Sequence, residues 1–149
     1  MNCVVRRADS DDADALLALE HEARSRLVEA RGGLHVLAEQ PAVASWHDVV
    51  VDQRSAVWVA TIDDVVVGYL ELQLPAQAGI GVVRQVFVTE GARELGFGDE
   101  LLAEAIDETR AAGGTAIESW ALPGDRDTKN LFERAGVTAR KLVVSKRLD

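Results

Sequence analysis

The residues with the clearest chemical potential in this chain are Arg93-Glu94-Leu95-Gly96-Phe97-Gly98. They stand between an apolar run, 82–88 (VVRQVFV), and a stretch, 98–112, that sets Leu101, Leu102, Ala105 and Ile106 on one helical face. A strand that feeds a glycine-rich turn and then a helix N-terminus can hold an anion. The first backbone N–H groups of a helix have no intrahelical acceptor, and the macrodipole adds positive potential there. Glycines at 96 and 98 remove the Cβ atoms that would keep a phosphate from those amides. An ordinary chain reversal asks for the same glycines, so these residues alone leave an anion site and a plain turn both open.

Other chemistries find no footing. His21, His35 and His47 lie at no ligand spacing and Cys3 is the single cysteine, so neither a metal site nor an intramolecular disulfide is expected. There is no G-x-S-x-G or Walker motif, and Gly96-Phe97-Gly98 is no Rossmann fingerprint because position 101 is Leu. The net charge of −9 argues against nucleic acid and anionic membranes, which call for a basic face. It is compatible with a small anion held locally by a helix terminus and one arginine. No run approaches the ~18 apolar residues of a membrane span. The N-terminus, MNCVVRRADSDD, lacks the apolar core of a signal peptide, so the expected location is cytoplasmic. Arginine outnumbers Lys129, Lys141 and Lys146, which reads as the coding bias of a GC-rich bacterial genome.

The elements that must position the 93–98 loop follow from pattern. A length of 149 residues with 48% hydrophobic and 28% charged residues suits one globular domain, 1–149. Residues 3–7 are a short strand, and Asp9-Ser10-Asp11-Asp12 are N-cap residues for a helix over roughly 11–30. Pro41 is expected to open a short second helix carrying Trp46. Strands 56–62 and 65–74 flank Asp63-Asp64, a two-residue hairpin signal. After the 98–112 helix and its Gly113-Gly114 stop come a strand over 115–122, a helix over 128–135 closed by Gly136, and a last strand within 138–147. The crossover helix makes strands 82–88 and 115–122 parallel neighbours in an otherwise antiparallel sheet.

This order, with the loop at this place in it, resembles the GNAT superfamily of N-acetyltransferases. Arg93, Gly96 and Gly98 fit the three fixed positions of its Arg/Gln-x-x-Gly-x-Gly/Ala signature, and Leu131-Phe132-Glu133-Arg134-Ala135-Gly136-Val137 resembles a second family element. The resemblance implies an α/β fold with a mixed, mostly antiparallel sheet of six to seven strands flanked by about four helices. It also implies acetyl-CoA, or another acyl-CoA, as donor and co-substrate, without a metal. The implied donor site comprises Val86, Phe87 and Val88 along the strand edge, Arg93, Glu94, Leu95, Gly96, Phe97, Gly98 and Asp99 at the pyrophosphate, and Asn130 and Phe132 on the following helix. Departures are visible. The loop is acidic, with Glu90, Glu94, Asp99 and Glu100 around Arg93; the family's common Asn falls on Asp125; and a Tyr that often protonates the leaving thiolate is here Phe132, which has no proton to give.

Acetyl transfer to an amine needs the amine neutral, hence a general base. Many relatives carry a Glu on the fourth strand, yet 80–88 holds only Arg84 and Gln85 as polar side chains. Glu71 and Glu118 on neighbouring strands are the candidates, with Trp120 on the same strand face as Glu118; Tyr69 is assigned to the core. The implied function is N-acetyl transfer from acetyl-CoA to a primary amine of a small molecule or peptide. The alternative is a catalytically idle CoA-binding regulatory or sensor domain. The partners expected are acyl-CoA and an amine acceptor, with neither nucleic acid nor membrane, and homodimers are common in the resembled family.

Overall fold

The computed structural model describes residues 1–76 and 79–148. Five strands form one sheet in the order β1-β2-β3-β4-β5: β1 (Cys3–Arg7), β2 (Ser55–Ile62), β3 (Val65–Gln73), β4 (Ile80–Val88) and β5 (Ala116–Glu118). The first three pairings are antiparallel, and β4 and β5 run parallel. The helix between them, α4 (Phe97–Ala111), makes the crossover. The other helices are α1 (Ala13–Leu27), α2 (Gly33–Glu39), α3 (Trp46–Val51) and α5 (Arg126–Arg134).

Alternation along β2 divides the core between two layers. Ala56, Trp58 and Ala60 face α4 and α5, meeting Phe97, Leu101, Leu102, Leu131 and Phe132. Val57 and Val59 face α1 and α3, meeting Leu16, Leu19 and Trp46. Helices on both faces explain why β2 is apolar on consecutive positions. The β2–β3 turn puts Asp63 and Asp64 at φ +48° and +69°, the left-handed pair a two-residue hairpin requires. Asp63 accepts from the Asn2 amide and donates its own N–H to the Asn2 carbonyl, both at 2.8 Å, which ties the turn to β1.

Two irregularities shape β4. Glu71 pairs with Gln85 but Leu72 pairs with Val83, so Arg84 is an extra residue that bulges and bends the strand. On the other side β5 pairs only with residues 80–82 of β4 and then departs. Beyond that point side chains cover the β4 carbonyls. Ser119 Oγ donates to Val83 O at 2.9 Å, Trp120 Nε1 and Gln40 Nε2 to Arg84 O at 2.9 and 3.2 Å, and Arg93 Nε to Val88 O at 3.0 Å. By two-residue alternation the Val86 amide and carbonyl face this same open side.

Four expectations need correction. The second helix does not begin at Pro41: α2 ends before it, because a residue preceding proline is pushed out of the helical region, and Gln40 sits at φ −119°, ψ 98°. Trp46 instead opens α3, capped by Ser45, whose side chain accepts from the Asp48 amide. The strand expected over 115–122 shrinks to β5, since Ser119 and Trp120 turn their side chains to the β4 carbonyls. No described residue after Arg134 belongs to a helix or strand, so the last strand or strands expected over 138–147 do not form. The sheet therefore has five strands among the described residues instead of six to seven, with five helices instead of about four.

Candidate active site

Where β5 leaves β4, a cleft of about 1130 Å³ opens between α4 and α5 on one side and α1 with the 36–43 segment on the other. Its first end is the start of α4. Gly96 is the N-cap at φ +82°, no side chain caps the helix, and the first closing bond is Glu100 N–H to Gly96 O at 3.1 Å. The amides of Phe97, Gly98 and Asp99 thus have no intrahelical acceptor. The two glycines serve different ends. A Cβ on Gly96 would meet nothing within 4 Å, so its glycine answers the left-handed backbone and leaves the cleft side open. A Cβ on Gly98 would touch Leu131 at 3.4 Å, so that glycine lets α5 pack closely on α4.

Two of the four acids around this helix start meet an arginine. Asp99 accepts from Arg134 Nε at 3.0 Å and Glu90 from Arg26 at 3.1 Å. Arg93 is anchored on Val88 O, with its guanidinium carbon 5.8 Å from the centre of the Phe87 ring. The Asp125 carboxylate caps α5, accepting from the Thr128 amide at 3.0 Å and its hydroxyl at 2.6 Å.

The opposite end has a buried polar floor. Glu20 on α1, 2% exposed, accepts from the Val43 amide through both oxygens at 3.2 Å, from Trp46 Nε1 at 3.2 Å and from Gln85 Nε2 at 3.0 Å. Gln85 Nε2 also donates to Glu71 at 2.9 Å, and Gln85 Oε1 accepts from the Tyr69 hydroxyl at 2.6 Å. Burial pushes the Glu71 carboxyl above the usual carboxylate range; the Gln85 hydrogen bond and Arg84, 3.6 Å away, pull the other way. Burial, with Glu20 and Glu71 nearby, pushes the Tyr69 phenol far up, so it stays a neutral donor. Among the described residues no basic side chain lies within ion-pair distance of Glu20, whose carboxyl lines the cleft and is held by neutral donors.

Of the expected donor-site residues, Val86, Phe87, Val88, Arg93, Glu94, Gly96, Gly98, Asp99 and Asn130 line the cleft. Leu95 does not, and Phe97 and Phe132 turn into the core at 3% and 7% exposure, where they seal α4 and α5 to the sheet. Neither candidate base faces the cleft: Glu71 lies beneath it behind Gln85, and Glu118 is exposed outside it. Trp120 is on the wall, and Tyr69, though buried in the core, presents its hydroxyl to the floor. Sequence reading missed Glu20. Its signal was there: Leu16, Glu20, Ala23 and Leu27 share one helical stripe, and a glutamate on an apolar stripe needs a buried partner.

The sequence profile of the acetyltransferase (GNAT) family matches residues 15–137, most of the chain. The chain belongs to that family. Its GNAT fold recurs in solved structures that it matches end to end. The aminoglycoside N-acetyltransferase AAC(6')-Iy, in complex with a bisubstrate analogue of CoA, superposes with a TM-score of 0.72 at 15% identity, covering 100% of this chain and 99% of that one. A ribosomal-protein-alanine N-acetyltransferase from Brucella melitensis gives 0.69 at 15% identity, with coverage of 100% and 99%. A tetramutant of the BH1408 protein from Bacillus halodurans gives 0.76 at 17%, with coverage of 97% and 99%. At these identities the likeness establishes the fold. No curated protein sequence matches the chain. As a GNAT protein it is an acetyltransferase by class, with the signature loop on the α4 end of its cleft. No helix among the described residues is long and apolar enough to cross a membrane.

Proposed function

We propose that this GNAT protein transfers an acetyl group from acetyl-CoA to the primary amine of a small molecule or peptide. The observation that carries the reading is the continuity of the cleft. One space runs from the free amides of α4, past the unpaired side of Val86, to the Glu20–Gln85–Tyr69 floor. The pyrophosphate would lie on the amides of 97–99 with Arg93 beside it, where the helix terminus favours an anion. The pantetheine arm would pair with Val86 as an added strand, which delivers the thioester to the floor. CoA complexes of the structural neighbours are in keeping with this donor.

At the floor, Glu20 acts on the acceptor as a fixed anion. Its oxygens already accept four contacts, which fix the carboxylate in place where it can attract an ammonium group into the cleft. Burial raises the Glu71 carboxyl above the usual carboxylate range, the direction that suits a base, and Glu71 sits beneath the cleft behind Gln85. Glu118, exposed and away from the cleft, is set aside as the base. A thiolate can leave without an acid near neutral pH, since a thiol's ordinary pKa lies only about one to two units above. One observation favours the second reading, an idle CoA-binding sensor: Phe132 is buried and offers no proton.

Release of free CoA thiol across a panel of small amines and N-terminal peptides decides between the two. Amine-dependent release supports the transferase. Binding of acetyl-CoA with no release on any amine supports the sensor.

A further inference from the structure

Two opposite charges one helical turn apart on α1 do not meet. Glu20 and Arg24 stand at i and i+4, glutamate first, the spacing and order at which a helix ordinarily forms a salt bridge. Among the described residues neither makes one, with each other or with any third group. Glu20 turns into the floor, toward the Val43 amide, Trp46 and Gln85. Arg24, half-buried, turns instead to the 36–43 segment and donates from Nη1 to Gln40 O at 2.7 Å. Both line the cleft.

Gln40 is a fixed post for that contact. It precedes Pro41, which holds it in the extended region, and its side chain donates to Arg84 O at 3.2 Å. Burial, then Glu20 and Glu71, push the Tyr69 phenol up, and Arg24 pulls it down, so the guanidinium acts on the same floor. The other arginines around the cleft have work elsewhere. Arg26 meets Glu90, Arg134 meets Asp99, Arg84 lies 3.6 Å from Glu71, and Arg93 rests on Val88 O. Arg31 is exposed on the turn after α1.

We propose that the acceptor end of the cleft takes a free α-amino acid with an apolar side chain, its ammonium drawn to Glu20 and its carboxylate held by the Arg24 guanidinium, granted the acetyl-transfer reading of this cleft. The two charges of such a molecule lie about 2.5 Å apart, nitrogen to carboxyl carbon. With a hydrogen bond of ~2.8 Å at each end, it spans side chains that leave one helix about 6 Å apart. A guanidinium is the side chain best shaped for a carboxylate, and the Nη2 and Nε donors of Arg24 are bonded to no described residue. A peptide N-terminus has a neutral amide in the carboxylate's place and would leave Arg24 unanswered. Trp120, 38% exposed and fastened by Nε1 to Arg84 O, gives the cleft wall an aromatic face for the apolar side chain, with Val36 and Val43 across from the sheet.

Transfer forms the amide C–N bond, breaks the thioester C–S bond, and yields the CoA thiol and one proton. The ammonium charge is lost in that step, so the N-acetyl product no longer matches Glu20 and is free to leave.

Calorimetric titration of the full chain, with and without free CoA, reads this site in the absence of turnover. The probes are L-phenylalanine and L-leucine, each beside its carboxamide and its decarboxylated amine; thiol release from acetyl-CoA is then followed on the same set. The expected preference for the amino acids is about tenfold or more, in affinity and in kcat/KM. Arg24→Gln should erase it through KM, with kcat little changed, and Arg24→Lys, which keeps the charge, should restore part of it. Amino-acid binding with no thiol release from any probe would sink the transferase reading and still support the zwitterion site. Equal affinity for the amino acids and their amides, binding of none of the probes, or a preference that survives Arg24→Gln would overturn it.

Discussion

Glu20 on α1 and Glu71 on β3 accept hydrogen bonds from one and the same nitrogen, Nε2 of Gln85, at 3.0 and 2.9 Å. Two buried carboxylates share a single amide, which is oriented by the Tyr69 hydroxyl on its other end. Gln85 is therefore the piece of β4 that stands where a strand-borne carboxylate is absent. Replacing it with Leu leaves both carboxylates short of a donor and should cost about 1–3 kcal/mol in urea denaturation. A variant as stable as the parent would show that the shared amide carries no weight.

Glu71 also gives a pH signature. Its folded pKa is raised by burial, so the folded state binds the proton more readily than the unfolded chain. Its cost is absent below the ordinary carboxylate pKa, grows as pH rises and is complete above the raised folded value. Glu71→Gln removes that cost. Relative to the parent, this variant should gain stability as pH rises above the ordinary carboxylate range, read as a pH-dependent gap in unfolding midpoints. A gap that stays constant contradicts the assigned burial effect.

Glu20→Gln keeps the shape and removes the charge at the acceptor end. The expected result is a KM for a cationic amine raised about tenfold or more, worth ~1.4 kcal/mol, while acetyl-CoA affinity holds. Loss of acetyl-CoA affinity instead would move Glu20 out of the acceptor site.

Asp12 should behave in the opposite sense to Glu71. Hydrogen bonds from Arg6 at 2.8 and 2.9 Å hold its carboxyl below the usual range, against burial. Its stabilisation is present above the unfolded carboxylate pKa and is lost as pH falls through the lowered folded value. Asp12→Asn should cost about 1–3 kcal/mol at pH 7, and the difference should vanish in strong acid. A cost that persists there would tie it to packing.

What the sequence made legible was local. The Asp63-Asp64 turn and the Gly113 stop each depend on a few adjacent residues, and each stands where pattern placed it, with Gly113 at φ +80°, while α4 is capped at Gly96, just ahead of the helix expected over 98–112. The site's floor depends on distance in the chain. Glu20 meets Gln85 across 65 residues, and no periodicity encodes that meeting. Phe132 matched a family position by spacing, yet the 7% exposure of its side chain shows that packing claimed it. The terminal run had the composition of a strand, but composition names no partner, and a strand exists only where an edge receives it.

If the start of α4 is the donor site for acyl-CoA, calorimetric titration with acetyl-CoA will register it, with Gly96→Glu alongside. A Cβ at position 96 meets nothing within 4 Å, so the added side chain fills the cleft at the expense of backbone strain alone. The expected result is saturable binding of one acetyl-CoA per chain, weakened about a hundredfold or more in the variant, ~2.7 kcal/mol. No heat from the parent at millimolar acetyl-CoA, or equal affinity in the two proteins, would contradict it.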